Sequence, residues 1–171
     1  HMPDDRFKKS VILIFEHNSK GATGLVINKE IGKDISSKIF DNLNQDIDLK
    51  INNQIPLYFG GPLSTERGIV LHDSKALANE SIKIASDLFL SSHINSIVKA
   101  QSLNKCKYKF MLGYAGWSPK QLDSEIEKGD WIMQEAYSDF IFSKRSEQMW
   151  ELAISSFGIE KSDISIQGGI S

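Results

Sequence analysis

No apolar run in this chain exceeds five residues, and the longest, Val11 to Phe15, is rich in β-branched side chains. A membrane-spanning helix needs about 18 consecutive apolar residues, so no such span is expected. A five-residue run is also too short for a buried helix and suits a buried strand. Similar short runs recur, each stopped by glycine or a polar cluster, so the chain must build its core from many short pieces. With 171 residues it is long enough for one domain that buries roughly 70% of its unfolded surface. A single domain over residues 1–171 is therefore expected.

The pieces can be placed in order. Val11 to Phe15 leads through Glu16-His17-Asn18-Ser19-Lys20 and Gly21-Ala22-Thr23-Gly24 to Leu25-Val26-Ile27, which predicts a hairpin with a long loop. Ile35, Ile39 and Leu43 recur every four residues and predict a short helix, followed by a polar loop over 44–54. Ile55 to Phe59 reads as a strand entered through Pro56 and stopped by Gly60-Gly61-Pro62. Gly68 to His72 and the alternating Ser81 to Ala85 read as two more strands. Ser91 or Ser92 is placed to cap a helix through Leu103 with Ile94, Ile97 and Val98 inward. Tyr108 to Leu112 is a strand ending at Gly113-Tyr114-Ala115-Gly116-Trp117. Ser118, Pro119 and Gln121 then form a Ser-x-x-Gln capping box with proline at the first helical position, and Gly129 ends that helix. Trp131-Ile132-Met133 reads as strand, and 145–157 as a last helix with Met149, Leu152, Ala153 and Phe157 inward before Gly158. Strands and helices mix without strict alternation, which predicts an α+β fold.

Polar residues and glycines gather at several of these strand ends. Glu16, His17 and Asn18 place a carboxylate, an imidazole and an amide together, although neighbours on a strand point to opposite faces. Gly60, Gly61 and Pro62 allow a close backbone approach near Arg67, one of only three arginines among 20 basic residues, and near His72. Gly113, Tyr114, Gly116 and Trp117 set small residues between two aromatics, as either a pocket wall or core packing. Together these twelve residues are the expected ligand-binding set, with Arg67 pairing an anionic group. A small anionic ligand or a protein is the expected partner. The competing reading is an enzyme in which His17 or His72 acts as general base beside Glu16.

Other chemistries find less in the sequence. The glycines of Gly21-Ala22-Thr23-Gly24 are not followed by Gly-Lys-Ser/Thr, so a turn is expected there and not a phosphate cradle. The four histidines lack ligand spacing, so no metal and no cofactor are expected. Lone Cys106 has no partner within the chain and points to a reducing, cytoplasmic setting. Flanking Lys105 and Lys107 are expected to lower its pKa. Net charge is −2, and Lys105, Lys107 and Lys109 make only a short basic stripe, so direct nucleic-acid binding is not expected.

In combination these motifs resemble the AlgH/YqgE family of bacterial proteins. Ser10-Val11-Ile12, Glu16-His17-Asn18, Gly24 to Lys29, Tyr58 to Pro62, Arg67-Gly68, Leu71-His72 and Gly113 to Trp117 carry the resemblance. Gln121-Leu122, Glu125, Trp131, Trp150-Glu151 and the tail Ser165-x-Gln167-x-Gly169 follow in the family's order. The resemblance implies an α+β fold in which a bent, bifurcated mixed sheet forms a pseudo-barrel flanked by helices. It implies a cytosolic protein, and it carries over no activity or cofactor. A transcriptional-regulator label, direct or through a partner, comes only by genetic association. Two departures stand out. Phe15 occupies the place where members often carry cysteine. Members also usually begin with a strand before the segment matching Pro3-Asp4-Asp5-Arg6-Phe7, which here follows His1-Met2, a pair that reads as a cloning remnant. That reading leaves a sheet edge without its neighbour.

Overall fold

A computed structural model describes residues 5–46 and 50–156. The fold is α+β, with a mixed sheet. Its elements are β1 (Ile12–Asn18), β2 (Gly21–Val26), α1 (Lys33–Asp46), β3 (Leu57–Phe59), β4 (Leu63–His72), β5 (Ile82–Ala85), β6 (Leu88–Ser91), α2 (Asn95–Ser102), β7 (Tyr108–Trp117), α3 (Gln121–Glu127), α4 (Ser138–Ser143) and α5 (Ser146–Ser155). Short 3-10 turns occupy Asp5–Phe7 and Lys75–Glu80. No helix among the described residues is long and apolar enough to cross a membrane. The chain divides into two compact units, residues 1–29 with 115–171 and residues 30–114. Strand β7 passes from the second into the first.

In the first unit β1 and β2 are antiparallel, and β2 pairs with the last three residues of β7. The expected hairpin is present, but its loop is only Ser19-Lys20, because Glu16, His17 and Asn18 continue β1 and Gly21 to Gly24 lie in β2. A turn at Gly21–Gly24 is thus corrected to strand. A bulge between Ile14 and Glu16 shifts the register. Ala22, Ala115, Trp117, Leu122 and Trp131 form the core of this unit, with Ile12, Ile14 and Ile126 against it.

The helix after β7 starts later than its sequence suggests. Lys120 adopts φ +62°, so Ser118 to Gln121 is a turn and α3 begins at Gln121. Half of the capping box survives, because the Gln121 side chain accepts from the Ser118 N–H at 2.9 Å. Gly129 ends the segment at φ +79°, as expected. In α5 the inward residues are Met149, Trp150 and Ile154, while Leu152 is exposed; the i, i+4 pair of Trp150 and Ile154 turns the helix that way. Phe157, Gly158 and the Ser165–Gly169 tail motif lie outside the described residues.

In the second unit β7 lies between parallel β3 and antiparallel β4, and the ladder continues β4–β6–β5. Phe40, Leu57, Val70, Ile97 and Phe110 centre its core, with the Phe40 and Phe110 rings stacked at 6.0 Å. The α1 stripe is rotated from expectation. Phe40 takes the fully buried position and leaves Ile35 60% exposed, since the largest ring gains most from burial. Strand β6, a buried run of three apolar residues and Ser91, is too short to show a period in the sequence. Ser91 caps no helix: its hydroxyl bonds the Glu80 carbonyl at 3.1 Å and lies 2.7 Å from the Ser96 hydroxyl. The following helix accordingly starts only at Asn95.

Candidate functional site

The first unit contains a cleft of about 320 Å³. It is lined by Ser10 to Ile14 and by the segment from Trp131 to Tyr137, together with Phe140, Ala153 and Ile154. The segment at Trp131, expected as a strand, runs to Tyr137 without helix or ladder pairing. Its start is held by one carboxylate. Glu125 Oε2 accepts the indole N–H of both Trp117 and Trp131, each at 2.8 Å, while Oε1 accepts from Gln121 at 2.9 Å. The two indoles meet edge-on at 6.0 Å. Hydrogen bonds to an ionised acceptor are short and strong, so α3 works as a bracket that fixes both tryptophans.

The stretch at Ser10 to Ile14 is fixed by Asn28. Its Oδ1 accepts from Val11 N–H at 2.8 Å and its amide donates to the Lys9 carbonyl at 2.9 Å. Lys29 adds a bond to the Lys8 carbonyl at 2.6 Å. Burial and neighbouring Lys9 lower the Lys29 pKa. The cleft's ionisable side chains are Glu135 and Tyr137, and the Tyr137 hydroxyl donates to Glu135. This arrangement suits binding of an apolar group.

Sequence reasoning sought the site among polar residues, and their surroundings differ. Cross-strand register sets Glu16, Thr23 and Gly116 in one row and His17, Ala22 and Trp117 in the next. Glu16, His17 and Asn18 are exposed. Glu16 accepts from the Asn18 amide at 2.9 Å, whereas His17 Nε2 meets Asp123 of α3 at 3.0 Å. In the second unit Gly60, Gly61 and Gly113 do come together. A Cβ on Gly60 would stand 2.3 Å from the Gly113 carbonyl oxygen, and one on Gly113 would stand 2.4 Å from that of Gly61. These glycines therefore serve backbone contact at that crossing. Pro62 and Tyr114 are half-buried, and Arg67 is exposed on β4.

His72 is fully buried, stacked on Phe89 at 5.6 Å. Its Nδ1 accepts from Ser74 N–H at 3.2 Å and its Nε2 lies 2.8 Å from the Ser81 hydroxyl, which donates to the Leu77 carbonyl. Both ring nitrogens are thereby engaged in holding the 75–80 turn, and burial lowers the pKa so that the ring stays neutral. Cys106 corrects another expectation. Burial first, and then the charge of Asp73, push its thiol up to about 11, and the flanking lysines do not lower it.

Comparison with known proteins decides the family. A model described as AlgH-like matches residues 1–162. The chain belongs to the AlgH-like family. This AlgH-like chain is 35% identical over 170 residues to a UPF0301 protein of Cupriavidus metallidurans, covering 98% of itself and 88% of that relative. It is 34% identical over 174 residues to a UPF0301 protein of Photobacterium profundum, covering 98% and 92%. The solution structure of the AlgH protein from Pseudomonas aeruginosa superposes with a TM-score of 0.76 at 30% identity, over 100% of this chain and 90% of that one. A crystal structure from Corynebacterium diphtheriae shares the fold at 22% identity, with a TM-score of 0.68 over 91% and 81%. Several residues that carried the AlgH-like resemblance, Asn28, Trp117, Glu125, Trp131 and Trp150, turn out to build or brace the cleft.

Proposed function

We propose that this AlgH-like chain is a non-enzymatic binding domain whose working site is the apolar cleft of the first unit. The observation that carries this reading is a cavity within the usual size of ligand sites, walled by aliphatic and aromatic side chains and braced by a dedicated carboxylate bracket. Of the residues expected from sequence, Trp117 lines it, and His17 meets Asp123 of α3, the helix whose Leu122 also lines it. Glu135 gives the cleft a polar rim that would orient a bound group.

The test is titration with the neutral fluorescent probe N-phenyl-1-naphthylamine. All three tryptophans line the cleft, so indole quenching reports on it directly. Saturable one-to-one binding is expected, and Ala153→Phe, which fills the cavity, should abolish it while the unfolding midpoint stays within a few degrees. Absence of saturation up to about 100 µM, an affinity weaker than about −5.5 kcal/mol, refutes the reading.

A further inference from the structure

In the second unit one buried imidazole grips both ends of the turn at Lys75–Glu80. At the start Ser74 caps the turn, its hydroxyl accepting from the Ala76 N–H at 3.3 Å, while the Ser74 N–H donates to His72 Nδ1 at 3.2 Å. At the end the Ser81 N–H donates to the Ala78 carbonyl, and the Ser81 hydroxyl lies 2.8 Å from His72 Nε2. These bonds fix the tautomer. The Ser81 hydroxyl has a single proton and gives it to the Leu77 carbonyl at 2.7 Å, so it accepts from Nε2–H. Nδ1 accepts from Ser74 and therefore carries no proton. The network is complete for the neutral ring only. A further proton has to go on Nδ1, where it meets the Ser74 N–H as one donor against another.

From this we infer that His72 is an acid-released latch: a proton on Nδ1 expels the Ser74 N–H and swings the 74–79 segment open while the sheet stays folded. The ends of the segment act as hinges. Asp73 is tied to Lys107 by two bonds, N–H to carbonyl at 3.1 Å and carboxylate to N–H at 2.9 Å. Glu80 is held by the Ser91 hydroxyl on its carbonyl and by Lys99 of α2 on its carboxylate. Between them Leu77 packs into the core of Phe40, Ile97 and Phe110, and Cys106 lies against Ser74 and Asp73. Opening withdraws Leu77 and uncovers the thiol. The charged and titratable groups around the ring permit this. Asp73 acts on the ring and favours its proton, whereas burial opposes it more strongly and keeps the latch shut at neutral pH. Tyr108, opposite His72 on β7, and Cys106 stay uncharged in acid. Lys83 of β5 pairs with Phe89, on which the ring stacks; Lys75 is exposed, and His93 acts on Glu80. The latch is independent of the binding reading proposed for the cleft.

The experiment is amide hydrogen exchange on the full 171-residue chain from about pH 7 to about pH 4, each rate referred to the unfolded chain at the same pH. The His72 ring is followed in parallel by proton–nitrogen correlation spectra. The neutral ring should show the Nε2–H tautomer. As it titrates, protection of the Ser74 and Leu77 amides should fall about tenfold per pH unit, while Asp73, Val70 and Phe110 keep theirs. Labelling of Cys106 by a dithiodipyridine, referred to the chain in urea, should rise in step. His72→Gln has no proton to gain, so its Ser74 and Leu77 protection should stay flat over the same range. Loss of protection at Ser74 and Leu77 only together with Val70 and Phe110 would mean global unfolding and would overturn the latch. An unchanged loss in His72→Gln would move the trigger to another group, such as Glu80 or His93, and overturn it as well. If His72→Gln does not fold, the wild-type chain decides: a ring that takes up its proton while Ser74 stays protected, or a neutral ring protonated on Nδ1, refutes the inference.

Discussion

Glu125 offers the sharpest test of how the cleft is held open. Its single Oε2 takes two indole N–H groups at 2.8 Å, and both tryptophans are nearly buried. In Glu125→Ala each indole loses a charged acceptor worth about 1.5–3 kcal/mol, or is left with a buried donor costing about 1–3 kcal/mol. Glu125 is itself partly exposed, so water recovers some of this, and a net loss of about 2–4 kcal/mol is expected. For a chain of this length that lowers the midpoint by about 5–15 °C. Glu125→Gln keeps a carbonyl oxygen in place and should cost only about 1 kcal/mol. Urea unfolding followed by tryptophan emission measures both, and the native alanine variant should emit further to the red as Trp131 reaches water. A loss below about 0.5 kcal/mol for alanine, the range of an ordinary surface substitution, would sink the bracket argument.

Four further outcomes follow from the same geometry. Lys109 is 5% exposed, lies 4.0 Å over the Tyr58 ring and has its pKa lowered by burial to about 8. The unfolded chain then binds the extra proton between about pH 8 and 10.5, so wild-type stability should rise relative to Lys109→Met across that window, by on the order of 3 kcal/mol in urea titrations. His72 is held neutral by burial, so its contribution is present above the ordinary imidazole pKa and lost as pH falls below it; His72→Gln should flatten the acid limb of a stability–pH curve. Gly113→Ala combines φ +71° with a Cβ 2.4 Å from the Gly61 oxygen and should cost about 2–4 kcal/mol, whereas Gly32→Ala, with open space around it, should stay within about 1 kcal/mol of wild type in the same melts. Cys106, raised from 9.0 to about 11, should react with a thiol reagent at pH 8 about a hundredfold more slowly in the native protein than in urea.

What the sequence disclosed, and what it withheld, divides along physical lines. The β1–β2 hairpin, the strand at 68–72 and the stop at Gly129 depend on neighbours in the chain, and those were legible. Strand β3 pairs in parallel with β7, and β6 pairs with β4; such contacts span tens of residues and leave no local period. The α1 stripe was misread by one position because Phe40 outweighs Ile35 once a core exists to receive a ring.

The candidate site escaped for a different reason. A search for chemistry looks for His, Arg, Glu and glycine, and strand ends collect those residues to satisfy turns as readily as to bind ligands. His72 is such a case: its ring closes a bond chain through Ser74, Ser81 and Leu77 that is complete without any ligand. An apolar cleft is spelled with the same letters as a core, so Ile12, Ile14, Ile132 and Met133 could not announce themselves. Nor is the strand expected at Trp131 to Met133 present: those residues form no ladder among the described residues. What separates site from core is the accounting of backbone groups. A core strand has its N–H and C=O groups paired on both sides; among the described residues β1 pairs only with β2, and residues 132–136 make no backbone–backbone hydrogen bond.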